Sequence, residues 1–239
     1  MVYKDQTILA VVPARGGSKS IPRKNLCKVC GVSLVGRAAQ IASSIEWIDH
    51  RIISTDDKEI AKEAAEYSLD VPFMRPDELA GDLATSIDMW RHAWIESEKH
   101  YGKRFDISIL LEPTSPLRRS EDIRRTIETL IEGNHEAAVT VSAAPAHFTP
   151  HKCLTVDNDG HVGFYLRDGA DYSIRQKIPD YYYRNGICYA LKRETLIEKG
   201  YIFGKDTAAV IIDRPVVNID EPYEIELAEF FLKREGSCS

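Results

Sequence analysis

Apolar runs alternate with amphipathic stretches along most of the 239-residue chain. Ile8 to Val12 is a short continuous apolar run, and similar runs recur at Arg51 to Thr55, Ile107 to Leu111, Ala137 to Val141 and Ala208 to Ile212. Runs of this length suit strands covered on both faces. Between them lie stretches with helical spacing: Leu34 to Ser44 after the Gly31 turn, Lys58 to Tyr67 behind Asp56-Asp57, Ser86 to Lys99, Ser120 to Gly133, and Pro222 to Arg234. Carboxylates before a helix and proline in its first turn match the unpaired N–H groups there. Ile87, Trp90 and Trp94 share one face of the third helix and are expected in the core. This order of strands and helices predicts βαβ units and a largely parallel sheet.

The alternation breaks between about Ala143 and Arg184. There Cys153 to Val156 and His161 to Phe164 flank Asp157-Asn158-Asp159-Gly160, the pattern of a β-hairpin. Tyr181-Tyr182-Tyr183 then sets three aromatics side by side, which a compact core cannot bury on one face. The expectation is an α/β domain from 1–142 and 186–239, with an insertion at 143–185 that packs against a partner subunit.

Charge and cysteines remove several function classes. Lys and Arg number 31 against 37 Asp and Glu, a net charge of −6 without a concentrated basic face, so nucleic acid is not an expected partner. The apolar stretch from Ile8 to Pro13 is too short for a signal or membrane segment, and the expected location is cytoplasmic. Of Cys27, Cys30, Cys153, Cys188 and Cys238, only the first two are close, and no second pair completes a zinc site. The Cys27-x-x-Cys30 pair is therefore expected as reduced thiols. His147 and His151 have i, i+4 spacing, but Pro150 between them argues against a helix that would present both to a metal.

The stretch after the first strand carries the most chemistry. Pro13-Ala14-Arg15-Gly16-Gly17-Ser18-Lys19-Ser20-Ile21-Pro22-Arg23-Lys24-Asn25 combines small residues, whose backbone N–H groups can approach an anion, with four cations at a strand exit. The composition fits phosphate binding. It is neither a Walker A loop nor the Gly-x-Gly-x-x-Gly dinucleotide fingerprint, which counts against an NAD-linked oxidoreductase.

This loop resembles the signature of the acylneuraminate cytidylyltransferases, the CMP-sialic acid synthetase family. Further matches follow in order: Ile53-Ser54-Thr55-Asp56-Asp57, Arg75-Pro76-x-Glu78-Leu79-Ala80, Glu112-Pro113-Thr114-Ser115-Pro116-Leu117-Arg118, Arg184-Asn185-Gly186-x-x-Tyr189, and Asn218-Ile219-Asp220-x-Pro222-x-Glu224-x-Glu226-Leu227-Ala228-Glu229. The resemblance implies a three-layer αβα nucleotide-diphospho-sugar transferase fold, Rossmann-like with a mixed sheet and a small dimerisation insertion. It implies transfer of CMP from CTP to the anomeric hydroxyl of a nonulosonic acid, release of pyrophosphate, a divalent ion (Mg²⁺ or Mn²⁺), and a homodimer with composite active sites. Membrane and nucleic acid have no part in it.

By the same resemblance Arg15 and Lys24 are the phosphate-binding cations and, with Asp220, the catalytic set. Ala14, Gly16, Gly17, Ser18, Asn25, Arg75 and Ser86 would hold the nucleotide. Glu112, Thr114, Ser115, Asn185 and Tyr189 would line the sugar pocket, and Arg175 of one subunit would grip the sugar carboxylate in the other's site. The family's metal-binding aspartate corresponds to Asp220, but its usual partner Asp is Asn218 here. Two readings stay open: Glu112 supplies the missing charge to the metal, or Glu112 faces the sugar and Asn218 ligates through its carbonyl or not at all. The neighbouring alternatives are a CMP-Kdo or CMP-legionaminate or pseudaminate synthetase, and an inactive nucleotide-sugar binding module disabled at Asn218.

Overall fold

A computed structural model describes residues 3–172 and 174–238, apart from the side chain of Arg175. In chain order its elements are β1 (Ile8–Pro13), β2 (Lys28–Val29), β3 (Val32–Ser33), α1 (Leu34–Ser43), β4 (His50–Ser54), α2 (Lys58–Glu66), α3 (Ser86–Tyr101), β5 (Ile107–Leu110), α4 (Ser120–Glu132), β6 (Ala137–Ala143), β7 (Leu154–Val156), β8 (Val162–Phe164), β9 (Tyr182–Lys192), β10 (Thr207–Ile211) and α5 (Pro222–Arg234). The helix starts follow the side chains that can accept from free N–H groups. Ser33 Oγ accepts from Gly36, the Asp57 carboxylate from Glu59 and Ile60, and Thr85 Oγ1 from Asp88. Helix α3 stops at Gly102, whose φ of +62° a glycine adopts without a Cβ penalty.

The sheet has six strands in the order β10-β6-β9-β5-β1-β4. Strand β1 pairs parallel with both β4 and β5, placing Val11 opposite Ile52 on one side and Leu110 on the other. Strand β9 pairs antiparallel with β5, Tyr189 opposite Leu110. The sheet is thus mixed, as the family resemblance implies, and its antiparallel strand is one that the alternation of elements does not mark. The reason is visible in β9: Tyr182, Tyr183 and Arg184 are exposed, whereas Asn185 through Leu191 are buried. The polar, aromatic start disguised a core strand. Trp90 and Trp94 are fully buried, as expected, and Trp90 Nε1 donates to Ser108 Oγ at 2.8 Å.

The chain divides into two compact units. The first comprises the chain up to Thr140, Asn185–Val210 and the chain from Arg214; the second comprises Val141–Arg184 with Ile211–Asp213. Within the second unit β7 and β8 form the hairpin, with Leu154 opposite Phe164, and both strands are exposed throughout. His151 there is 6% exposed, lies 3.8 Å from the Tyr172 ring and hydrogen-bonds the Tyr181 hydroxyl through Nδ1, while His147 is exposed. No helix among the described residues is long and apolar enough to cross a membrane.

The cysteines also need correction. Cys30 is disulfide-bonded to Cys238, with Cα atoms 5.4 Å apart, whereas Cys27, Cys153 and Cys188 are free. Cys30 sits on the turn between β2 and β3, α5 packs with Val29, Leu34 and Leu117 in one cluster, and Cys238 lies just beyond the end of that helix. The partners are 208 positions apart, so the Cys27/Cys30 spacing carried no trace of the pair.

Candidate active site

Parallel pairing of β1 with β4 and β5 brings three carboxyl-terminal strand ends together, the place where open α/β sheets hold ligands. From these ends spring the glycine-rich loop after Pro13, the Thr55-Asp56-Asp57 turn, and the loop from Glu112 to Arg118. A cleft of about 340 Å³ opens there, lined among others by Arg15, Lys24, Asn25, Arg75, Asp82, Ser86, Glu112 and Thr114.

The glycine-rich loop is held from behind by hydrogen bonds. Ala14 N donates to Ser54 O at 3.0 Å, Gly16 N to Asp56 Oδ1 at 3.0 Å, and Asn25 Nδ2 reaches back to Arg15 O at 2.9 Å. Asn25 is 7% exposed and closes the loop on itself. A Cβ at Gly16 would come within 2.9 Å of Asp57 Cβ and Oδ2, so this close approach requires glycine. Gly17 meets nothing and Ser18 is half-buried. Arg23 takes a left-handed φ of +56° as it turns the chain into Lys24.

The cations of the loop are each matched by a carboxylate. Lys24 Nζ lies 2.9 Å from Asp220 Oδ1; Arg15 Nη1 and Lys19 Nζ lie 3.2 and 2.7 Å from the two oxygens of Asp82; Arg23 pairs with Glu59. Asp220 is further tied to the loop, because Ser20 Oγ donates to its carbonyl, and Glu224 accepts from the backbone N–H of Asp220 and of Glu221 at the start of α5. Arg75 is a different case. It is 6% exposed, its guanidinium donates to Ser54 Oγ and Ser54 O, and burial pushes its pKa down to about 10. It remains a cation at neutral pH and forms part of the cleft wall.

On the other side of the cleft, Arg118 staples the Glu112–Arg118 loop to β9. Its buried guanidinium donates to Glu112 O, Gly186 O and Ile187 O, and Ser115 Oγ donates to Asn185 O at 3.0 Å. Gly186 has φ +70°, and a Cβ there would meet Glu112 Oε2 at 2.5 Å and Ser115 Oγ at 2.7 Å. Only glycine lets the Glu112 carboxylate lie against this strand. Asn218 has a buried Oδ1 without a hydrogen-bond partner, and its neighbour Ile219 N donates to Thr114 O at 2.8 Å.

The cleft thus gathers Arg15, Lys24, Asn25, Arg75, Ser86, Glu112 and Thr114 from the sequence reading, with Asp220 joined through Lys24. Ala14, Gly16, Gly17, Ser18 and Ser115 belong to the loops around it but not to its lining. Asn185 is buried and Thr140 Oγ1 donates to its Oδ1 at 2.7 Å; Tyr189 is 6% exposed, with the Phe203 ring edge-on at 6.3 Å. Neither lines the cleft. Arg175 stands on a short turn, Arg175–Lys177, and its side chain lies outside the described residues. Sequence reasoning assigned no role to Asp82, Ser20, Arg118 or Gly186. Arg118 and Gly186 stood inside quoted motifs, but nothing in their spacing reveals the three carbonyls or the missing Cβ.

Comparison with known proteins places this geometry. The cytidylyltransferase family model matches residues 9–230. Post-translational flagellin modification protein B of Campylobacter coli is 33% identical over 230 residues, covering 96% of each chain. The CMP-N,N'-diacetyllegionaminic acid synthase of Campylobacter jejuni is 31% identical over 227 residues, covering 94% of each. A solved structure of CMP:2-keto-3-deoxy-manno-octonic acid synthetase complexed with CTP aligns with a TM-score of 0.70 over 96% of this chain and 99% of that one, at 17% identity, a likeness of fold. The fold is Rossmann-like, of the nucleotidyltransferase type. By the reach of the family match and the identity of these relatives, the chain belongs to the cytidylyltransferase family of nucleotidyltransferases.

Proposed function

We propose that the protein transfers CMP from CTP to the anomeric hydroxyl of a nine-carbon nonulosonic acid and releases pyrophosphate. The observation that carries this reading is the cleft itself, which Arg15 and Lys24 of the glycine-rich loop line together with Glu112 and Thr114. In the proposed reaction the sugar hydroxyl gives up its proton to water as its oxygen bonds the α-phosphorus of CTP, the bond from that phosphorus to the bridging oxygen breaks, and the β- and γ-phosphates depart together as pyrophosphate. A triphosphate repels an incoming hydroxyl oxygen, and fixed cations offset that charge as it shifts onto the leaving group. Arg15 and Lys24 would supply them. Arg75 and Ser86, which line the same cleft, would face the nucleoside. The Campylobacter jejuni relative, by its name a synthase of CMP-N,N'-diacetyllegionaminic acid, supports a nonulosonic acid as acceptor.

A divalent ion fits the donors present. Mg²⁺ takes hard oxygens and keeps several waters; Asp220, which pairs with Lys24, and Glu112, which lines the cleft, would offer such oxygens, and Asn218 two residues from Asp220 has a buried Oδ1 without a hydrogen-bond partner. When bound, the ion would neutralise phosphate charge during transfer. We further propose a homodimer in which Arg175 of one copy completes the other's sugar site. Its support is the apolar surface of the second unit, where Phe148, Val156, Val162 and Tyr165 are each more than half exposed.

The test is pyrophosphate release from CTP with Mg²⁺ and a panel of acids: N-acetylneuraminate, N,N'-diacetyllegionaminate, pseudaminate and Kdo. Release with one or more of the nine-carbon acids supports the reading. Release with Kdo alone replaces the substrate class, and binding of CTP without release for any acid points to a binding module.

A further inference from the structure

We propose that Asp82 is a displaceable counter-ion of the phosphate loop, a residue that weakens the hold on CTP and eases the departure of pyrophosphate. The inference rests on reading the cleft as the CTP site. Its basis is geometric. The two oxygens of one carboxylate engage two different cations of the loop, Oδ1 with Arg15 at 3.2 Å and Oδ2 with Lys19 at 2.7 Å. An anion with two oxygens on two cations occupies the loop as a phosphate group would. Asp82 lines the same cleft as Arg15, so the carboxylate and a triphosphate would compete for the same charges.

The segment that carries Asp82 is built to let go. It lies between the turn Asp77–Leu79 and Thr85, the cap of α3, and its internal backbone bond, Ala84 N to Gly81 O, is compatible with movement of the whole turn. Leu83 is 98% exposed and Gly81 is exposed, so apolar packing does not pin the segment. Asp82 itself is 55% exposed, and Arg15 40% and Lys19 81%. Ion pairs this open to water are weak and screened by salt, whereas a nucleoside triphosphate brings several charges to the same loop. Lys19, and after it Arg15, hold the Asp82 carboxyl below its ordinary range, so the competitor is charged at neutral pH. Once the reaction leaves pyrophosphate on the loop, the returning carboxylate opposes its retention.

The experiment is calorimetric titration of CTP and, separately, inorganic pyrophosphate, with Mg²⁺ present and no sugar acid, at 50 and 500 mM NaCl, into wild type, Asp82→Asn and Asp82→Ala. At 50 mM both variants are expected to bind each ligand about 3- to 10-fold more tightly than wild type, the size of two exposed ion pairs. At 500 mM the difference should shrink to within about twofold. Binding by the variants that is unchanged or weaker, with wild type binding normally, overturns the proposal and makes Asp82 an aid to the nucleotide. Failure of wild type to bind either ligand overturns the CTP reading instead, and the proposal with it.

Discussion

Lys24 Nζ lies 2.9 Å from Asp220 Oδ1 although the two residues are 196 positions apart in the chain. The contact joins the glycine-rich loop after β1 to the turn that starts α5, and Ser20 adds a second bond to the Asp220 carbonyl. The side chain of Lys24 is only 15% exposed, so its ammonium is held in place before any nucleotide arrives. A pre-positioned cation is worth more to a transition state than one that must be ordered during the reaction.

Arg15→Ala and Lys24→Ala are each expected to lower kcat/KM for CTP by about 100-fold or more, the scale of losing one charge that stabilises a transferring phosphoryl group. Steady-state kinetics with saturating sugar acid checks this. Values within about threefold of wild type for both variants would remove the phosphate role from the loop.

For the divalent ion, Glu112→Gln removes an anionic oxygen donor beside a hard cation. The Mg²⁺ concentration for half-maximal rate should rise by about 3- to 10-fold, and Glu112→Gln combined with Asn218→Asp should recover much of the loss. A change in sugar KM with an unchanged Mg²⁺ requirement would instead turn Glu112 toward the sugar.

The proposed composite site is tested by complementation. Arg175→Ala and Lys24→Ala proteins, each inactive alone, should regain part of the wild-type rate when mixed and allowed to exchange subunits, because one site of each heterodimer is intact. Exchanged heterodimers that stay inactive would mean that one chain builds the whole site.

Cys188 gives a pH dependence that the fold alone dictates. The thiol is fully buried in β9, and burial pushes its pKa from 9.0 up to about 12. Below pH 9 it is protonated in both folded and unfolded states and adds no slope. Above pH 9 the unfolded thiol ionises while the folded one does not, so stability falls by about 1.4 kcal/mol per pH unit from this group until the folded pKa is reached. Urea unfolding at pH 8 and pH 10.5 should therefore show a loss in wild type that is smaller by about 2 kcal/mol in Cys188→Ala. Equal losses in the two proteins would contradict the buried, protonated thiol.

Much of the fold was legible because its signals are local. The apolar runs at Ile8, Arg51, Ile107, Ala137 and Ala208 and the helix starts at Asp57, Ser86 and Pro222 agree with the structure to within one or two residues at most ends. Strand β9 was not legible, since its exposed tyrosines precede its buried half and only the sheet reveals that both lie on one strand. The site divides in the same way. Arg15, Lys24 and Asn25 are readable as one motif, whereas Asp82 reaches Arg15 across 67 positions and Arg118 reaches Ile187 across 69. The Cys30–Cys238 pair is the extreme case, set by the packing of α5 against the β2–β3 turn.

The central claim is most directly tested by ³¹P NMR of one mixture of the protein, CTP, Mg²⁺ and N,N'-diacetyllegionaminate, compared with mixtures holding N-acetylneuraminate or pseudaminate. The account predicts that, with at least one of these acids, the CTP signals give way to a single phosphodiester resonance of a CMP-sugar and an equimolar pyrophosphate signal, with no change when the acid is left out. CTP that stays intact with every acid, or CMP that forms at the same rate without any acid, would contradict it.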